Sequence, residues 1–411
     1  MQETPTQTPP ETASVVQRVL TAAKKPQYMT VIAILLFALS ASGTVLALHT
    51  YESMKKPATS PASSSSPSQT THPGTASAKP ATKTPDSPKD TAKAAPGTST
   101  LAASAGKVFA LLDPGESSAN MQAYASKASV DGLAFRARWS DLEPSADSYN
   151  WSSLDSALTT AGSSGKKMTI HVGASSGGYP NWLTGMGMKT YTYTIPAGSR
   201  KDPIPWDSVY IQHYNQFVAA LGQHVTATGK QSVVEHVSVG APVAEMTIAG
   251  CANGQLQGGT AYDRTLYMNT WKSTIAANAS AFPGKKVFVS LPLAFICQND
   301  GNDGKAFATE LMNSTKTTAS VSYFAADLNA LGSTRTAQAD SSLKASQGIN
   351  YQTIWSYTSD PQSRFQGSLS SGVCYGWKAG ARYYELYKSD LTSISASVIN
   401  AIAQARSGAG C

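Results

Sequence analysis

The chain contains 411 residues, of which 32 are lysine or arginine and 25 are aspartate or glutamate. Nine of the basic and five of the acidic residues precede Lys107, so the remainder of the chain carries 23 against 20, a net charge of +3. This net charge is too mild for a typical nucleic-acid-binding domain, which carries an excess of clustered basic residues.

An uncharged apolar run, MTVIAILLFALSASGTVLAL, covers residues 29–48. About twenty residues at 1.5 Å rise per residue are enough to cross a hydrocarbon core of roughly 30 Å. A cleaved signal peptide is the alternative, but its apolar region would lie closer to residue 1 and would be followed by an A-x-A site. We therefore predict a transmembrane helix over 29–48, preceded by a tail over 1–28.

The cysteines decide the orientation of this predicted helix, because the basic residues on its two sides nearly balance. All the cysteines follow the apolar run, and their number is even, as a disulfide framework in an exported domain requires. The tail is therefore expected in the cytoplasm, and the rest of a single-pass protein of the cell membrane outside it. The four cysteines are Cys251, Cys297, Cys374 and Cys411.

Residues 49–106 are predicted to form a disordered stalk rich in Ser, Thr, Pro and Ala. Residues 57–106 include no aromatic residue, no Ile, Val or Met, and a single leucine, Leu101. Such a segment cannot bury enough apolar surface to offset its ordering entropy. Its prolines favour extended conformations that reach on the order of 150 Å at about 3.1 Å per residue, so the following domain would stand clear of the membrane.

Short apolar runs alternate with helical patterns, such as 152–162 and 207–225, through residues 107–411. This alternation implies parallel strands, and eight such units in about 300 residues predict an α/β fold of the (β/α)8 TIM-barrel type. A doubly wound sheet is the alternative, but the glycines at 173–178 lack the spacing of a phosphate-binding loop. The predicted strands are 107–114, 131–139, 166–174, 233–242 and 285–293, and, with weaker patterns, 333–340, 351–358 and 381–388.

The second predicted strand carries charged residues at inward positions. Strand alternation places Ala134, Arg136 and Arg138 on the face opposite Leu133 and Phe135. If the apolar face meets the helices, Arg136 points toward the barrel axis and needs a carboxylate partner. It either forms a core ion pair or orients a catalytic carboxylate at the carboxyl ends of the strands, where TIM barrels place their sites.

Residues 130–183 resemble the second and third βα units of β-galactosidase-type glycoside hydrolases of the (β/α)8 retaining-glycosidase clan. The resemblance rests on FRARW, LEP, YNW, GKKMTIHV and PNWL, which occur in this order. It implies an acid/base glutamate at the end of strand four and a nucleophile at the end of strand seven. The fourth predicted strand runs into Glu245, without the asparagine that usually precedes it, and residues 351–360 contain no glutamate.

Glu385, on the eighth predicted strand, is the best candidate for the second catalytic carboxylate. Alternation places Tyr383, Glu385 and Tyr387 on one face, so an inward Glu385 would lie between two phenols. Alternatively, Glu385 pairs with Arg382 or Lys388 outside the barrel. Glycoside cleavage needs two carboxylates, about 5 to 5.5 Å apart for retention and about 6.5 to 9.5 Å apart for inversion. The sequence leaves both outcomes open.

Aromatic rings pack against the apolar faces of sugars in a concave site. Trp139, Trp182 and Trp355 follow or end predicted strands, and together with Arg136, His171 and Tyr383 they are predicted to bind a carbohydrate substrate. A satisfied core histidine is an equal interpretation of His171. No cofactor or metal is predicted, because the histidines lack metal-ligand spacing. The alternatives to a glycoside hydrolase are an inactive glycan-binding barrel and a stalked adhesion protein.

The cysteines also predict a pairing. Cys251 follows the fourth predicted strand and Cys297 the fifth, so both lie on loops at the same barrel face. Cys374 lies on the last helix before the eighth strand, and Cys411 is the last residue. Of three possible connectivities, only Cys251 with Cys297 and Cys374 with Cys411 joins expected neighbours.

Overall fold

The computed structural model describes residues 105–175, 177–195, 198–297, 303–315, 318, 320–338, 349–360, 363–392 and 395–411. The predicted tail, the predicted transmembrane helix and the predicted stalk up to residue 104 lie outside these residues. None of the helices that the structure does describe is long and apolar enough to cross a membrane.

Eight parallel strands close into a barrel, in which each strand pairs with its neighbours in chain order and the last pairs with the first. The predicted TIM barrel is therefore confirmed. The near-continuous apolar composition of most strands fits burial on both faces, as parallel sheets require. The strands are β1 Lys107–Leu111, β2 Gly132–Arg138, β3 Lys167–Gly173, β4 Val234–Ser238, β5 Lys286–Ser290, β6 Val321–Leu328, β7 Ile349–Thr353 and β8 Tyr383–Tyr387.

Helices surround this barrel. Side chains of Ser117, Asp207, Asp263, Ser368 and Ser395 cap helix N-termini by accepting backbone N–H bonds, which fixes where those helices begin. The helices are α1 Ser118–Ala125, α2 Trp139–Leu142, α3 Ser152–Ser163, α4 Trp182–Gly185, α5 Ser208–Ala227, α6 Arg264–Ala281, α7 Asp303–Thr315, α8 Leu369–Lys378, α9 Lys388–Thr392 and α10 Ala396–Ser407.

Two hairpins extend the loops after β3 and β4. The first pairs Thr190–Ile195 with Gly198–Pro203, and the second pairs Cys251–Ala252 with Gln255–Leu256. Both follow carboxyl ends of barrel strands, so they lie at the end of the barrel where TIM-barrel sites form.

The sixth strand differs from its prediction. Residues 321–328 (VSYFAADL) form β6, whereas the predicted strand 333–340 contains a 3₁₀ helix over Arg335–Gln338 and ends outside the described residues. The predicted strand 351–358 overlaps β7 only in its first three residues, and a second 3₁₀ helix covers Tyr357–Ser359. The other six strands lie where the sequence predicts them.

Two buried clusters form the core. The larger fills the space between the strands and the helices. The smaller, which we call the axial cluster, consists of inward side chains packed along the barrel axis, and it fills the barrel interior. Its members are Phe109, Leu111, Ala134, Phe288, Phe324 and Tyr383.

Both predicted disulfides are confirmed. Cys251 is bonded to Cys297, and Cys374 is bonded to Cys411. The first joins the loop after β4 to the loop after β5, so it lies at the carboxyl ends of the strands.

Candidate active site

Glu385 is the middle residue of β8, points inward and has a fully buried side chain. Its Oε1 accepts hydrogen bonds from His171 Nε2 at 2.7 Å and from the Tyr383 hydroxyl at 2.5 Å. The alternative that pairs Glu385 with Arg382 or Lys388 outside the barrel is therefore wrong: Arg382 stacks on a tryptophan ring, and Lys388 bonds to acidic residues of the β1 loop.

Tyr383 supports Glu385 from the axial cluster. Its hydroxyl also lies 2.7 Å from Thr169 Oγ1 on β3. Burial, and then the nearby Glu385 carboxylate, hold the pKa of Tyr383 well above its usual value. The phenol therefore keeps its proton and donates a hydrogen bond to Glu385. The second carboxylate oxygen, Glu385 Oε2, is buried and has no hydrogen-bond partner within the described chain. A buried carboxylate oxygen without a donor is uncommon and marks a site that a ligand can complete.

Glu245 lies in the loop after β4, seven residues beyond the last residue of that strand. Its Oε2 lies 2.5 Å from Arg335 Nη2, and 37 % of its side chain is exposed. Arg335 also donates from Nη1 to the backbone oxygen of Leu291, at the end of β5. Glu245 therefore belongs to a cluster over β5 and β6, separate from the hydrogen bonds around Glu385.

Asp327 holds Arg335 in place. Its carboxylate accepts bonds from Thr334 Oγ1 at 2.6 Å, from the Arg335 backbone N–H at 3.1 Å and from the Ser333 hydroxyl. This carboxylate caps the turn that was predicted as a strand. Sequence reasoning missed both Asp327 and Arg335, although an aspartate followed by a Ser-Thr pair was the available signal for a capped turn.

The loop that carries Glu245 is attached to the β5 loop. Thr247 Oγ1 donates to the backbone oxygen of Phe295 at 2.9 Å and accepts from the Leu293 N–H at 2.8 Å. The Cys251–Cys297 disulfide adds a covalent link between the same two loops. The position of Glu245 is therefore set by β5 as much as by β4.

Arg136 points inward as predicted, but neither catalytic candidate is its partner. Its Nε donates to the Leu112 backbone oxygen at 2.6 Å, and its Nη2 lies 2.9 Å from Asp113 Oδ1. Lys388 bonds to the other oxygen of Asp113 at 2.8 Å. The carboxylate that Arg136 orients is therefore Asp113, at the end of β1, whose side chain is 55 % exposed.

The three predicted sugar-binding tryptophans differ in burial. Trp139 is fully buried among helix side chains, and its indole N–H donates to Glu143 Oε2 at 2.6 Å. It has no open face for a sugar, so that prediction is corrected. Trp182 is half-buried and donates to the Glu143 backbone oxygen at 3.2 Å. Trp355 is half-buried just after β7.

A third group of side chains borders the site between β7 and β8. The Trp355 ring lies 5.8 Å from the Tyr387 ring, and the Arg364 guanidinium lies 4.6 Å from the Trp355 ring. Asp390 fixes the loop beside Trp355 by accepting bonds from Ser356 and from the backbone and side chain of residue 358. Of the predicted binding residues, His171 and Tyr383 contact Glu385, whereas Trp355 borders the site from this side.

Gln352, which sequence reasoning did not single out, is the residue of β7 paired in register with Glu385 of β8. Strand alternation places Gln352 on the same inward face. The available signal was that Gln352 lies within the predicted strand 351–358, in the segment Tyr-Gln-Thr. No group of three or more His, Cys, Asp or Glu side chains suited to a metal ion occurs among the residues that the structure describes.

Comparison with known proteins supports this interpretation of the barrel. A family profile described as β-galactosidase matches residues 126–235. The catalytic domain of a β-amylase from Paenibacillus polymyxa is 14 % identical, with a TM-score of 0.51 over 68 % of this chain and 91 % of that one. An intracellular xylanase from Thermoanaerobacterium saccharolyticum is 13 % identical, with a TM-score of 0.42 over 69 % and 86 % of the two chains. No curated protein matches the chain.

The resemblance to β-galactosidase-type glycoside hydrolases is therefore confirmed. The profile covers residues 130–183, on which the resemblance rests, and extends it to β4. The β-amylase comparison shows the same barrel fold. At the level of this family match and fold, the prediction of a glycoside hydrolase is confirmed.

Proposed function

We propose that this chain cleaves O-glycosidic bonds in the mouth of the barrel, which we define as the end at which the strands have their carboxyl termini. Glu385 and Glu245 would be its two catalytic carboxylates. Glu385 is the observation that carries the proposal. It is a fully buried, inward carboxylate in the middle of β8, with one oxygen held by His171 and Tyr383 and the other without a donor in the described chain. Such a group is stable only where the surrounding structure fixes it, which is typical of catalytic sites.

The two carboxylates suit different steps of the reaction. Glu245 is partly exposed on a loop, where it can reach the leaving oxygen of a bound glycoside and protonate it. Glu385 lies at the floor of the mouth, where a negative charge stabilises the oxocarbenium-like transition state and supports attack on the anomeric carbon. Trp355 and Tyr387 supply ring surfaces at the rim for the sugar.

The proposal includes attachment to the membrane, with the barrel outside the cytoplasm. The apolar run at 29–48 has the length of a membrane span. The Ser-, Thr- and Pro-rich segment that follows suits a spacer, and an oxidising compartment suits two disulfides in the barrel. Protease treatment of intact cells that express the full chain tests this arrangement, because only an exported barrel would be released.

An activity screen with matched variants tests the enzymatic proposal. The purified full-length chain is assayed on aryl glycosides, starting with β-galactosides because of the family match, and on cell-wall polysaccharides. Glu245→Gln should slow glycosides with poor leaving groups by about 10² to 10⁴-fold and activated aryl glycosides much less, since these depart with little protonation. Glu385→Gln should nearly abolish turnover of both kinds, because its charge is needed whatever the leaving group.

Glu310→Gln is the matched control for both substitutions. Glu310 is a carboxylate on α7 that pairs with Arg264 at 2.7 Å on the outside of the barrel. It should leave both rates unchanged. If Glu245→Gln and Glu385→Gln were both as mild as this control in an active protein, the catalytic pair would lie elsewhere.

A glycan-binding barrel without turnover is the second candidate. Gln352 favours it, because β7 presents an amide in register with Glu385, near the place where the resemblance implies a nucleophilic glutamate. The same purified chain distinguishes the two. Retained binding of a polysaccharide in calorimetry, with no product in any assay, would support the binding barrel over the enzyme.

A further inference from the structure

We propose that Asp113, held by Arg136 and Lys388, binds hydroxyl groups of a second sugar unit, so that the barrel acts on neutral oligosaccharides in preference to single sugars. This inference rests on the proposed glycosidase function and deepens it by naming the substrate class. Asp113 is then a binding residue that sets specificity, and the cleavage itself stays with Glu245 and Glu385.

A tight turn after β1 places Asp113 at the mouth. Residues 113–116 have the sequence Asp-Pro-Gly-Glu. The Glu116 N–H donates to the Asp113 backbone oxygen at 3.2 Å, and Gly115 has a φ of 77°. Proline presets the second position of such a turn, and glycine supplies the positive φ of the third. The local sequence therefore fixes the backbone that carries the Asp113 side chain.

Two cations hold the Asp113 carboxylate, although 55 % of the side chain is exposed. Arg136 Nη2 lies 2.9 Å from Oδ1, and Lys388 Nζ lies 2.8 Å from Oδ2. Both cations are themselves fixed, because Arg136 Nε donates to the Leu112 backbone oxygen at 2.6 Å and Lys388 also pairs with Glu116. An exposed carboxylate that is already oriented loses less conformational entropy when it accepts hydrogen bonds from a ligand.

Hydrogen-bond donors lie beside this acceptor. Arg136 is 23 % exposed, and its Nη1 has no hydrogen-bond partner among the residues that the structure describes. The hydroxyl of the half-buried Tyr387 also forms no hydrogen bond within the described chain. Each Asp113 oxygen keeps a lone pair after its ion pair. A sugar hydroxyl both donates and accepts, so it matches a carboxylate oxygen with a donor next to it.

The charges of this cluster cancel. Arg136 and Lys388 oppose Asp113 and Glu116, and Glu116 also accepts from Asn120 Nδ2 at 2.6 Å. A carboxylate on the sugar would be repelled by Asp113, and an ammonium group would be repelled by Arg136. Hydroxyl groups avoid both repulsions. The cluster therefore selects a neutral sugar.

The register of the barrel places Asp113 nearer to solvent than Glu385. Phe109 of β1 is paired with Glu385, and Asp113 follows Phe109 by four residues. At about 3.3 Å per residue, and with the usual strand tilt, Asp113 lies on the order of 10 Å farther toward the open end. Arg136 lies at the same level, two residues beyond the β2 partner of Leu111. This separation exceeds one pyranose ring, so Asp113 meets the unit next to the one at the cleaved bond.

Tyr387 connects Asp113 to the aromatic rim of the mouth. It is paired with Leu111 of β1, and its ring lies 5.8 Å from that of Trp355. Burial raises the pKa of Tyr387, and the charges of Arg136 and Asp113 both act on its hydroxyl. Ring surface next to a few fixed polar groups is the usual composition of a small-molecule site.

The dependence of rate on substrate length tests the proposal in the full chain. The parent and Asp113→Ala are assayed on an aryl monoglycoside and on oligosaccharides of two to four units, built on the sugar that the parent cleaves and starting with β-galactose. For the oligosaccharides, kcat/KM should fall by about 10 to 10²-fold, as expected for loss of a hydrogen bond to a charged group. For the monoglycoside it should change by no more than about twofold, because no second unit reaches Asp113.

Two further variants make this comparison specific. Asp113→Asn keeps the shape and one carbonyl acceptor, so it should lose less than Asp113→Ala, and it carries the same comparison if the alanine variant does not fold. Asp155→Ala is the matched control, because Asp155 is a similarly exposed aspartate, at 45 %, that pairs with His224 outside the barrel. It should leave kcat/KM unchanged on every substrate.

Oligosaccharides that lack single hydroxyl groups on the second unit give a readout that a merely structural role would not move. One of them should lose about the same factor in the parent, and it should lose nothing further in Asp113→Ala. In an active parent, equal losses on the monoglycoside and the oligosaccharides, or no loss on either, would overturn the role of Asp113 and leave the glycosidase intact.

A parent inactive on every glycoside would overturn the proposed function instead, and calorimetry then decides the inference separately. The four-unit β-galacto-oligosaccharide should bind the parent about 10 to 10²-fold more tightly than it binds Asp113→Ala. Equal dissociation constants, or no binding to the parent, would overturn the inference.

Discussion

The two ends of the barrel use charge differently. At the amino end, where the strands begin and the long helices finish, the described residues include ten basic and only two acidic side chains. The rest of residues 107–411 then holds 13 basic against 18 acidic residues. The basic residues of the amino end are Lys107, Lys127, Lys166, Lys167, Lys230, Lys285, Lys286, Lys378, Arg382 and Arg406, and the acidic ones are Asp131 and Glu235.

Many charges at the amino end bind backbone carbonyl groups. Lys166 Nζ donates to the carbonyl oxygens of Lys127 and Val130, and Lys167 Nζ donates to that of Ser232. Helix C-termini leave unpaired carbonyls and a partial negative charge of about half a unit, so these cations stabilise the fold. At the mouth, Arg136 and Arg335 combine a backbone carbonyl with a carboxylate partner, Asp113 and Glu245 respectively. Glu385 Oε2 and Arg335 Nε are left there without partners in the described chain.

Unsatisfied buried atoms occur at both ends of the barrel, since Ser129 Oγ and Gln404 Oε1, close in sequence to Asp131 and Arg406, have no partner in the described chain. Glu235 Oε2, at the amino end, is also buried without a partner, although its other oxygen lies 2.6 Å from Lys107 Nζ. We expect substitutions in the barrel interior and at the amino end to change the free energy of unfolding, and substitutions at the mouth to change kcat.

The largest expected effect is loss of stability in acid through His236, which stacks on Phe288 inside the barrel. Its pKa is about 3 in the fold because of burial and about 6.5 in the unfolded chain. Between these pH values the unfolded chain binds more protons than the folded chain. The contribution of His236 to the unfolding free energy is therefore fully present above pH 6.5 and is lost as the pH falls toward 3. At about 1.4 kcal/mol per pH unit, the loss approaches an order of 5 kcal/mol.

Denaturant unfolding at pH 7 and pH 4 measures this loss. His236→Leu removes the titrating group, so the difference in unfolding free energy between the two pH values should be smaller in the variant by a few kcal/mol. An equal pH dependence in the parent and the variant would show that His236 is not buried in its neutral form.

The second prediction compares the two disulfides. They close loops of similar length, with sequence separations of 46 and 37 residues, so replacing either pair by serine should cost about 4 kcal/mol in the chain-entropy account. Only the loss of Cys251–Cys297, which holds the loop of Glu245, should also lower kcat. Unfolding curves and rates of both double variants measure this, and equal effects on rate would contradict the separation of the two ends.

Local pattern predicted most of the barrel, because the strands and helices repeat apolar residues at fixed spacings. Alternation placed Tyr383, Glu385 and Tyr387 on one face, but it left open whether that face points inward. β6 was missed because the alternating Thr and Ala residues of 333–340 imitate a strand, whereas Asp327 caps that turn through a contact that no local period encodes.

The partners within the site could not be predicted. His171 and Glu385 are 214 residues apart and belong to β3 and β8, so their contact depends on closure of the barrel. The error at Trp139 has a local cause. β2 ends at Arg138 and a helix begins at the next residue, so the strand alternation no longer applies and the ring turns into the core.

The smallest expected effect is that of Lys107→Met at the amino end. The Lys107–Glu235 pair has 44 % and 23 % exposed side chains, and such pairs contribute about 1 kcal/mol or less. Unfolding free energy at pH 7 should therefore fall by no more than that, and kcat should not change. The acid-induced loss of stability should shrink slightly, because Lys107 is one of the charges that lower the pKa of His236.

Arg335→Met removes one cation from an ion pair at the mouth, and it should reduce kcat because Glu245 loses the partner that places it. If Lys107→Met reduced kcat as much as Arg335→Met, the charges of the amino end would have to act on the site through the axial cluster, and the two ends could no longer be treated as independent.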